Sequence, residues 1–274
     1  MLIMKKIILL TFSISILSMM SCSKKTDYGQ PNANFKNLEK DFITWWTYHE
    51  NNIILSSNFI AIDELSSQIS KEDFLKKLTS GDYIPLKLNS KDSLTYYKLF
   101  KLDQTSDNEI RKQIKLSSTT DYIHFKTEGK TFPKFQFVDL NGVVYNNENT
   151  KGKIVILKCW FIACHSCVAE FPELNKLVDK YRNQKDIIYI SLALDSKEKL
   201  NQFLSQKRFN YAVIADQEEF ISTELNVTMF PTHFIIDSNG IIRKVVNKAD
   251  EMILALSDKE FLETSNVQIT PAPK

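Results

Sequence analysis

The chain of 274 residues contains few cysteines, little net charge and no evident internal repeat. Its 4 cysteines are too few for a protein of this length whose fold depends on disulfides. A formal net charge of +2 is too small to indicate a nucleic acid as partner. The remaining composition, with 43% hydrophobic and 25% charged residues, is ordinary for a globular protein and sufficient for one large domain or two small ones.

The N-terminal apolar segment is also short. It reads "IILLTFSISIL" over residues 7–17, and about 11 residues are too few to span a hydrocarbon layer ~30 Å thick. Two lysines precede it and small residues lead to Cys22, a pattern typical of a secretory signal. Cys22 resembles the acylated cysteine of bacterial lipoproteins. We therefore expect a signal peptide over 1–21, a lipid-anchored tether over 22–37, and a place in the bacterial cell envelope facing the periplasm.

The next segment, residues 38–128, has the pattern of a small α+β domain without a recognisable site. "DYIPLKL" and "TYYKLFKL" alternate like strands, and "SKEDFLKKLTSG" carries a helix-capping signature. The aromatic and histidine residues of this segment are interpreted as packing residues: Trp45, Trp46, His49 and His124. Gly129 and Pro133 then mark a change of pattern, so a second domain is predicted over 129–274.

Strands and helices alternate in this second domain. "KIVILKCWF" is a continuous apolar run, as expected of a strand that is buried on both faces. "SCVAEFPELNKLVDKYRNQ" is predicted as one helix, and "DIIYISLALD" and "NYAVIAD" as further strands. "THFIIDSNGIIRKVVN" predicts a hairpin that turns at Asn239-Gly240. The predicted fold class is α/β, with a central mixed sheet flanked by helices and preceded by the smaller α+β domain.

Two cysteines lie three positions apart in "WFIACHSC". Cys164 falls where the buried strand ends, and Cys167 lies in the first turn of the following helix. Unpaired N–H groups and the positive end of the helix dipole favour a thiolate at this place. Because the thiolate is the nucleophile of disulfide exchange, and Cys167 is near enough to displace a mixed disulfide, the pair indicates redox exchange.

Other uses of the pair fit the sequence less well. A structural zinc site needs four ligands, and no second Cys or His pair stands at a suitable spacing. Covalent haem attachment requires histidine where Val168 stands. A CxxC disulfide closes too small a loop to stabilise the fold much, and the Thr/Pro context of a peroxide-reducing cysteine is absent. One alternative stays open: a binding or scaffold lipoprotein whose CxxC is inactive or holds copper.

Residues 132–263 resemble the thioredoxin superfamily, specifically the membrane-anchored TlpA-like disulfide reductases, which include cytochrome c maturation proteins. The resemblance rests on "KIVILKCWFIACHSC", "VAEFPELNKL" and "MFPTHFIID". It implies that Cys164 attacks a substrate disulfide, that Cys167 resolves the intermediate, and that Glu170 tunes the protonation of both. It also implies a kink in the predicted helix at Pro172.

The resemblance further implies a substrate-binding surface. Pro231 matches the cis-proline of the family, Phe230 would offer backbone groups to an extended substrate, and Trp160 would contact substrate. The implied partners are protein dithiols or disulfides, such as apocytochrome c or other envelope proteins, together with a membrane electron donor. No nucleic acid, organic cofactor or metal is expected, and the expected direction is reduction.

The chain departs from the family in three ways near the cysteines: the His-Ser dipeptide, Lys158, and Cys159, which alternates to the opposite strand face from Lys158 and is interpreted as a small buried residue. His165 stands in the CxxC dipeptide, where it is a candidate for stabilising the Cys164 thiolate. Lys158 lies six residues before Cys164, where thioredoxin has a buried acid, and a lysine inside a sheet is costly unless it is paired or deprotonated. We expect Lys158 to point toward Glu170 or Cys167 and to help poise proton transfer; the alternative is that its stem packs and its amine reaches solvent.

Overall fold

The computed structural model describes residues 28–258. The predicted signal peptide and Cys22 lie outside the described residues. Within them no helix combines the length and the apolarity that crossing a membrane requires. The described chain forms two regions, each built around a five-stranded sheet.

The first region surrounds a mixed sheet in the order β1-β4-β5-β2-β3. Its strands and helices follow one another as β1 (Gln30–Pro31), α1 (Phe35–Leu38), α2 (Phe42–Asn52), β2 (Ile60–Ile62), β3 (Gln68–Ile69), α3 (Lys71–Leu78), β4 (Tyr83–Asn89), β5 (Tyr96–Lys101) and α4 (Asn108–Thr127). The pair β2–β5 is parallel and the other pairs are antiparallel. Trp45, Phe74 and Leu99 are fully buried between this sheet and its helices.

The chain enters this fold earlier than the sequence predicted. Gln30 and Pro31 pair with Asn89 and Leu88 of β4, and α1 follows at once. The predicted tether over 22–37 is therefore wrong for its described part. A two-residue strand at a sheet edge leaves almost no periodic signal, so only the pairing itself reveals it.

The second region contains a mixed sheet in the order β10-β9-β8-β11-β12 and a separate hairpin, β6-β7. Its elements are β6 (Gln136–Val138), β7 (Val144–Asn146), β8 (Ile154–Trp160), α5 (His165–Ala169), α6 (Phe171–Lys180), β9 (Ile187–Ala193), α7 (Lys197–Leu204), β10 (Ala212–Ile214), a π-helix (Phe220–Glu224), β11 (Thr232–Ile236), β12 (Ile242–Val246) and α8 (Ala249–Ser257). Strands β8, β9 and β10 are parallel, while β11 is antiparallel to β8 and β12. The predicted thioredoxin-like α/β fold class is confirmed.

Strand β8 occupies the middle of this sheet, and all its residues are buried. The helix predicted after it is divided at Glu170 into α5 and α6, close to the kink that the resemblance implies at Pro172. Pro172 lies in the first turn of α6 and has no N–H to donate to the carbonyl of Val168, so the hydrogen-bond ladder cannot run through this point. The division places Glu170 at the junction of the two helices.

The two regions pack together along α4, β12 and α8. Gly129 N–H donates to the carbonyl of Ile242 at 2.7 Å, directly after α4 ends. Farther along the contact, Lys248 Nζ lies 2.8 Å from a carboxylate oxygen of Glu50 in α2. The first region therefore covers the β12 edge of the second sheet, while the division of the chain at 128/129 stays a prediction.

Candidate active site

The cysteine pair lies at the carboxyl end of the central strand. Cys164 is the N-cap of α5, and its sulfur is bonded to that of Cys167, with the two Cα atoms 5.3 Å apart. The backbone N–H of Cys167 also points at Cys164 Sγ, at 3.2 Å. This N–H would stabilise a thiolate on Cys164 in the reduced protein.

The two sulfurs differ in their access to solvent. Cys164 is 8% exposed and Cys167 is 0% exposed, so only the first cysteine reaches the surface. Cys167 packs in an apolar cluster with Trp160 and Phe171. The loop before the pair is held by Asp195, whose carboxylate accepts the N–H of Ile162 at 2.7 Å.

The loop before β11 completes the surface around Cys164. The Phe230-Pro231 peptide bond is cis, and the Phe230 ring meets the Phe161 ring edge to face at 5.3 Å. Asn247 fixes the other side of this loop: its side-chain amide donates to the carbonyl of Pro231 at 2.8 Å and to Thr232 Oγ1 at 3.0 Å. The loop thus lies next to the CxxC pair.

Trp160 does not lie on this surface. Its side chain is 0% exposed and packs edge to face on Phe171 and Phe209. The prediction that Trp160 contacts substrate is wrong, because residues of alternating strand positions share a face and this face is covered by α6 and the segment after α7.

Lys158 enters the sheet core as expected and is fully buried there. Its ammonium group contacts one oxygen of Glu170, and His233 Nε2 lies 3.0 Å from the same oxygen. The second oxygen of Glu170 accepts the backbone N–H of Ala249, at the start of α8, at 2.8 Å. Of the two directions that the sequence left open for Lys158, the structure shows the one toward Glu170.

The charges in this buried network follow from these contacts. Burial alone would raise the pKa of Glu170, but the hydrogen bond and charge of His233 and the charge of Lys158 outweigh burial and hold the pKa below its usual range. Burial lowers the pKa of Lys158, and Glu170 opposes that shift. Burial also lowers the pKa of His233. Glu170 is therefore ionised at neutral pH and accepts three donors.

His165 and Ser166 face outward between the cysteines. Ser166 Oγ lies 3.4 Å from Cys164 Sγ, whereas the His165 ring makes no hydrogen bond to another residue of the described part. The role of His165 as a tuning residue stays a prediction. Ser166 is the nearer polar group to Cys164 Sγ.

Sequence reasoning missed two residues of the site, His233 and Asn247. A histidine inside the apolar run "THFII" was a possible signal, because a buried titratable group beside a redox pair is a candidate functional residue. Asn247 follows β12 and carried no local signal. Among residues 28–258, no group of three or more His, Cys, Asp or Glu side chains is arranged to hold a metal ion.

A thioredoxin-like sheet, a CxxC pair at the end of its central strand and an adjoining cis-proline loop define a protein of the dithiol-disulfide exchange class. Residues 129–245 match the AhpC/TSA family. The thiol-disulfide oxidoreductase ResA of Bacillus thuringiensis is 34% identical over 144 residues, which are 52% of this chain and 79% of that protein. The chain therefore belongs to the thioredoxin-like family of thiol-disulfide oxidoreductases and is an enzyme of that kind.

The chain is also similar to two further proteins. The thioredoxin-like protein YneN of Bacillus subtilis is 27% identical over 120 residues, or 43% of this chain and 70% of that protein. The solved thioredoxin domain of a thiol-disulfide oxidoreductase from Bacteroides vulgatus is 20% identical, with a TM-score of 0.43 over 47% of this chain and 95% of that domain. None of these three similarities extends over the whole of this chain.

Proposed function

We propose that the protein reduces disulfides of other proteins in the bacterial cell envelope, with Cys164 as attacking and Cys167 as resolving cysteine. The unequal exposure of the bonded pair, 8% against 0%, is the observation that carries this assignment. A substrate can reach the first sulfur, while the second is placed to attack the first from within. Lipid anchoring at Cys22 and apocytochrome c as a substrate belong to the same proposal and rest on the sequence resemblances.

The reaction balances without a cofactor. In the reduced protein the Cys164 thiolate attacks a substrate disulfide, forms a mixed disulfide and displaces one substrate thiolate, which takes up a proton. The Cys167 thiolate then attacks Cys164 Sγ, which releases the second substrate thiol and forms the Cys164–Cys167 disulfide. Two electrons pass to the substrate, and an external dithiol, such as one on a membrane electron donor, restores the pair.

The backbone of Phe230 is suited to hold the substrate. Within residues 28–258 its N–H and C=O make no hydrogen bond, although the loop around them is fixed by Asn247 and Thr232. Backbone groups left without partners beside a reactive sulfur can pair with an extended chain. Pro231 would keep these groups directed at the substrate.

Enzymatic reduction of insulin tests the roles of the cysteines. Cys164→Ser should abolish activity, and Cys167→Ser should accumulate mixed disulfides with substrate. Cys159→Ala is the matched control, because Cys159 is a buried free cysteine on the face of β8 opposite to Lys158 and should be dispensable for the reaction. Activity that survives in Cys164→Ser would reject the proposal.

The direction of exchange is tested separately by equilibrating the Cys164/Cys167 couple with glutathione. A reductase should have a potential below the range of about −220 to −260 mV typical of a cytosolic glutathione pool. A potential near that of a strong oxidant, about −120 mV, would reverse the assigned direction.

The buried network supplies the proton step in this proposal. The carboxylate of Glu170 already accepts three donors and stays ionised. The exchangeable proton therefore lies on Lys158, and burial lowers the pKa of this lysine. Lys158→Met should therefore shift the pKa of the Cys164 thiol, measured by its reaction rate with iodoacetamide against pH. Lys176→Met, on the exposed face of α6, is the control. An unchanged thiol pKa in Lys158→Met would remove Lys158 from the mechanism.

A further inference from the structure

A cavity of about 160 Å³ lies between the two regions, outside the CxxC site. Helices α2, α3 and α4 line it from the first region, and β12, α8 and Met229 line it from the second. Its volume is close to that of the ~150 Å³ protein cavities that hold one benzene molecule. The space therefore fits a ligand built on roughly one six-membered ring.

The cavity wall is acidic. It carries four carboxyl groups against two lysines, namely Glu50, Asp121, Glu128 and Glu251 against Lys71 and Lys248. Lys248 pairs with Glu50 at 2.8 Å, and Lys71 donates to the carbonyl of Ser57 at 2.7 Å. Glu128 meets Lys244, which approaches from behind the wall, at 3.2 Å. Lys71 forms no ion pair with another residue of the described part, but it lies within electrostatic range of Asp121, Glu128 and Glu251. With Lys244 counted, four carboxyl groups meet three ammonium groups, so the excess is one carboxyl group and the complementary ligand is a cation.

Asp121 is the group that a cation would meet. Its carboxyl makes no hydrogen bond or ion pair with another residue of the described part, and it faces the carboxyl of Glu251 across the cavity wall. Burial and the charge of Glu251 raise its pKa to about 7. Asp121 is half-buried in the cavity wall, and no residue of the described part donates a hydrogen bond to its carboxyl. An ammonium group in the cavity would supply such donors.

The rest of the wall suits an apolar ligand body. Trp46 and Phe125 contribute aromatic side chains and Met229 a thioether. Burial lowers the pKa of His124 to about 4, so this ring is neutral at pH 7 and does not repel a cation. Neutral aromatic faces attract ammonium groups as well as apolar ones.

We propose that this cavity binds a small organic ammonium ion, with its nitrogen at Asp121 and its apolar body among Trp46, Phe125 and Met229. The site is distinct from the CxxC pair and holds no group that takes part in disulfide exchange. Because Met229 directly precedes Phe230, the bound ion would touch the loop that presents substrate.

Benzylamine and benzyl alcohol are the probes, because they share size and shape and differ in charge. On the full-length oxidised protein, thermal unfolding should show saturable stabilisation by benzylamine with a Kd of about 1 mM or below, and at least tenfold weaker binding of benzyl alcohol. Asp121→Asn should abolish that preference. Asp179→Asn, a 55% exposed carboxylate on α6, should preserve it.

A second measurement needs no variant. The chain has 3 tryptophans, and only the indole N–H signal of Trp46 should shift when benzylamine is added in NMR spectra, because Trp46 lines the cavity. Equal binding of both probes, binding of neither, or a shift confined to another tryptophan would overturn the proposal. A charge preference that survives in Asp121→Asn would overturn it as well.

Discussion

Replacing Asp121 by asparagine should make the stability of the protein less dependent on pH. In the folded protein, burial first and the charge of Glu251 second raise the pKa of Asp121 from 3.8 to about 7. Between these values the folded chain holds a proton that the unfolded chain has released, so wild-type stability falls as pH rises. Asparagine keeps the shape of the side chain and removes this titration.

The size of the effect follows from the shift. One pKa unit corresponds to about 1.4 kcal/mol, so a shift from 3.8 to about 7 gives a ceiling of about 4 kcal/mol. The variant should gain stability relative to wild type by at most about 1.4 kcal/mol for each pH unit between about 4 and 7, and little more above that.

Urea denaturation of the oxidised protein at several pH values measures this difference. Changes of stability with pH that both proteins share, such as the one from the raised pKa of Glu128, cancel in the comparison. Asp179→Asn controls for the loss of one surface carboxylate. A difference between Asp121→Asn and wild type that stays constant from pH 4 to 7 would show that the carboxyl is hydrated. A difference of opposite slope would show that Asp121 is paired in its ionised form, and either result would refute the reasoning.

Three further outcomes are expected. Glu170→Ala leaves the buried ammonium of Lys158 without its carboxylate and should lower the free energy of unfolding by about 3–5 kcal/mol, whereas the double variant Lys158→Met/Glu170→Gln should recover most of it in the same denaturation assay. Asn247→Ala removes two hydrogen bonds from the cis-proline loop and should lower kcat/KM for insulin reduction about tenfold, with an unchanged pKa of the Cys164 thiol in iodoacetamide titrations. Burial lowers the pKa of His49 from 6.5 to about 4, so the free energy of unfolding should fall as the pH drops from about 6.5 to 4. In urea titrations, His49→Gln should reduce this pH dependence by at most about 1.4 kcal/mol per pH unit.

The features that the sequence predicted correctly are those with a local signal. The buried strand β8 is a continuous apolar run, and the hairpin β11–β12 is marked by Asn239-Gly240. The place of Cys164 at a strand end followed from the same run. Lys158 was noticed because its charge interrupts that apolar run. The helix that follows the strand carries Glu170 and Cys167, so these two residues were the candidate partners of the lysine.

The features that sequence reasoning missed depend on contacts between distant segments. His233 stands opposite Lys158 only because β11 pairs with β8 in that register, and a shift by one residue would turn it to the other face. Trp160 was misplaced for a related reason, since a continuous apolar run does not show whether the residue at its end is covered by a neighbouring helix or lies at the surface. The cavity at Asp121 arises where α4 meets β12, and no single segment encodes it.

The first region contacts the second at the loop before β11. Thr120 Oγ1 of α4 lies 3.0 Å from Met229 Sδ, while Asn247 holds Pro231 from the side of β12. An ammonium ion in the proposed cavity would touch Met229, and a substrate in the proposed cleft would pair with the next residue, Phe230. Both ligands would contact one short loop, so binding of one can change the affinity for the other. By thermodynamic linkage, the factor by which the ion changes substrate affinity equals the factor by which substrate changes the affinity for the ion. In this proposal the first region contributes Asp121 to the cavity and Thr120 to the contact with Met229.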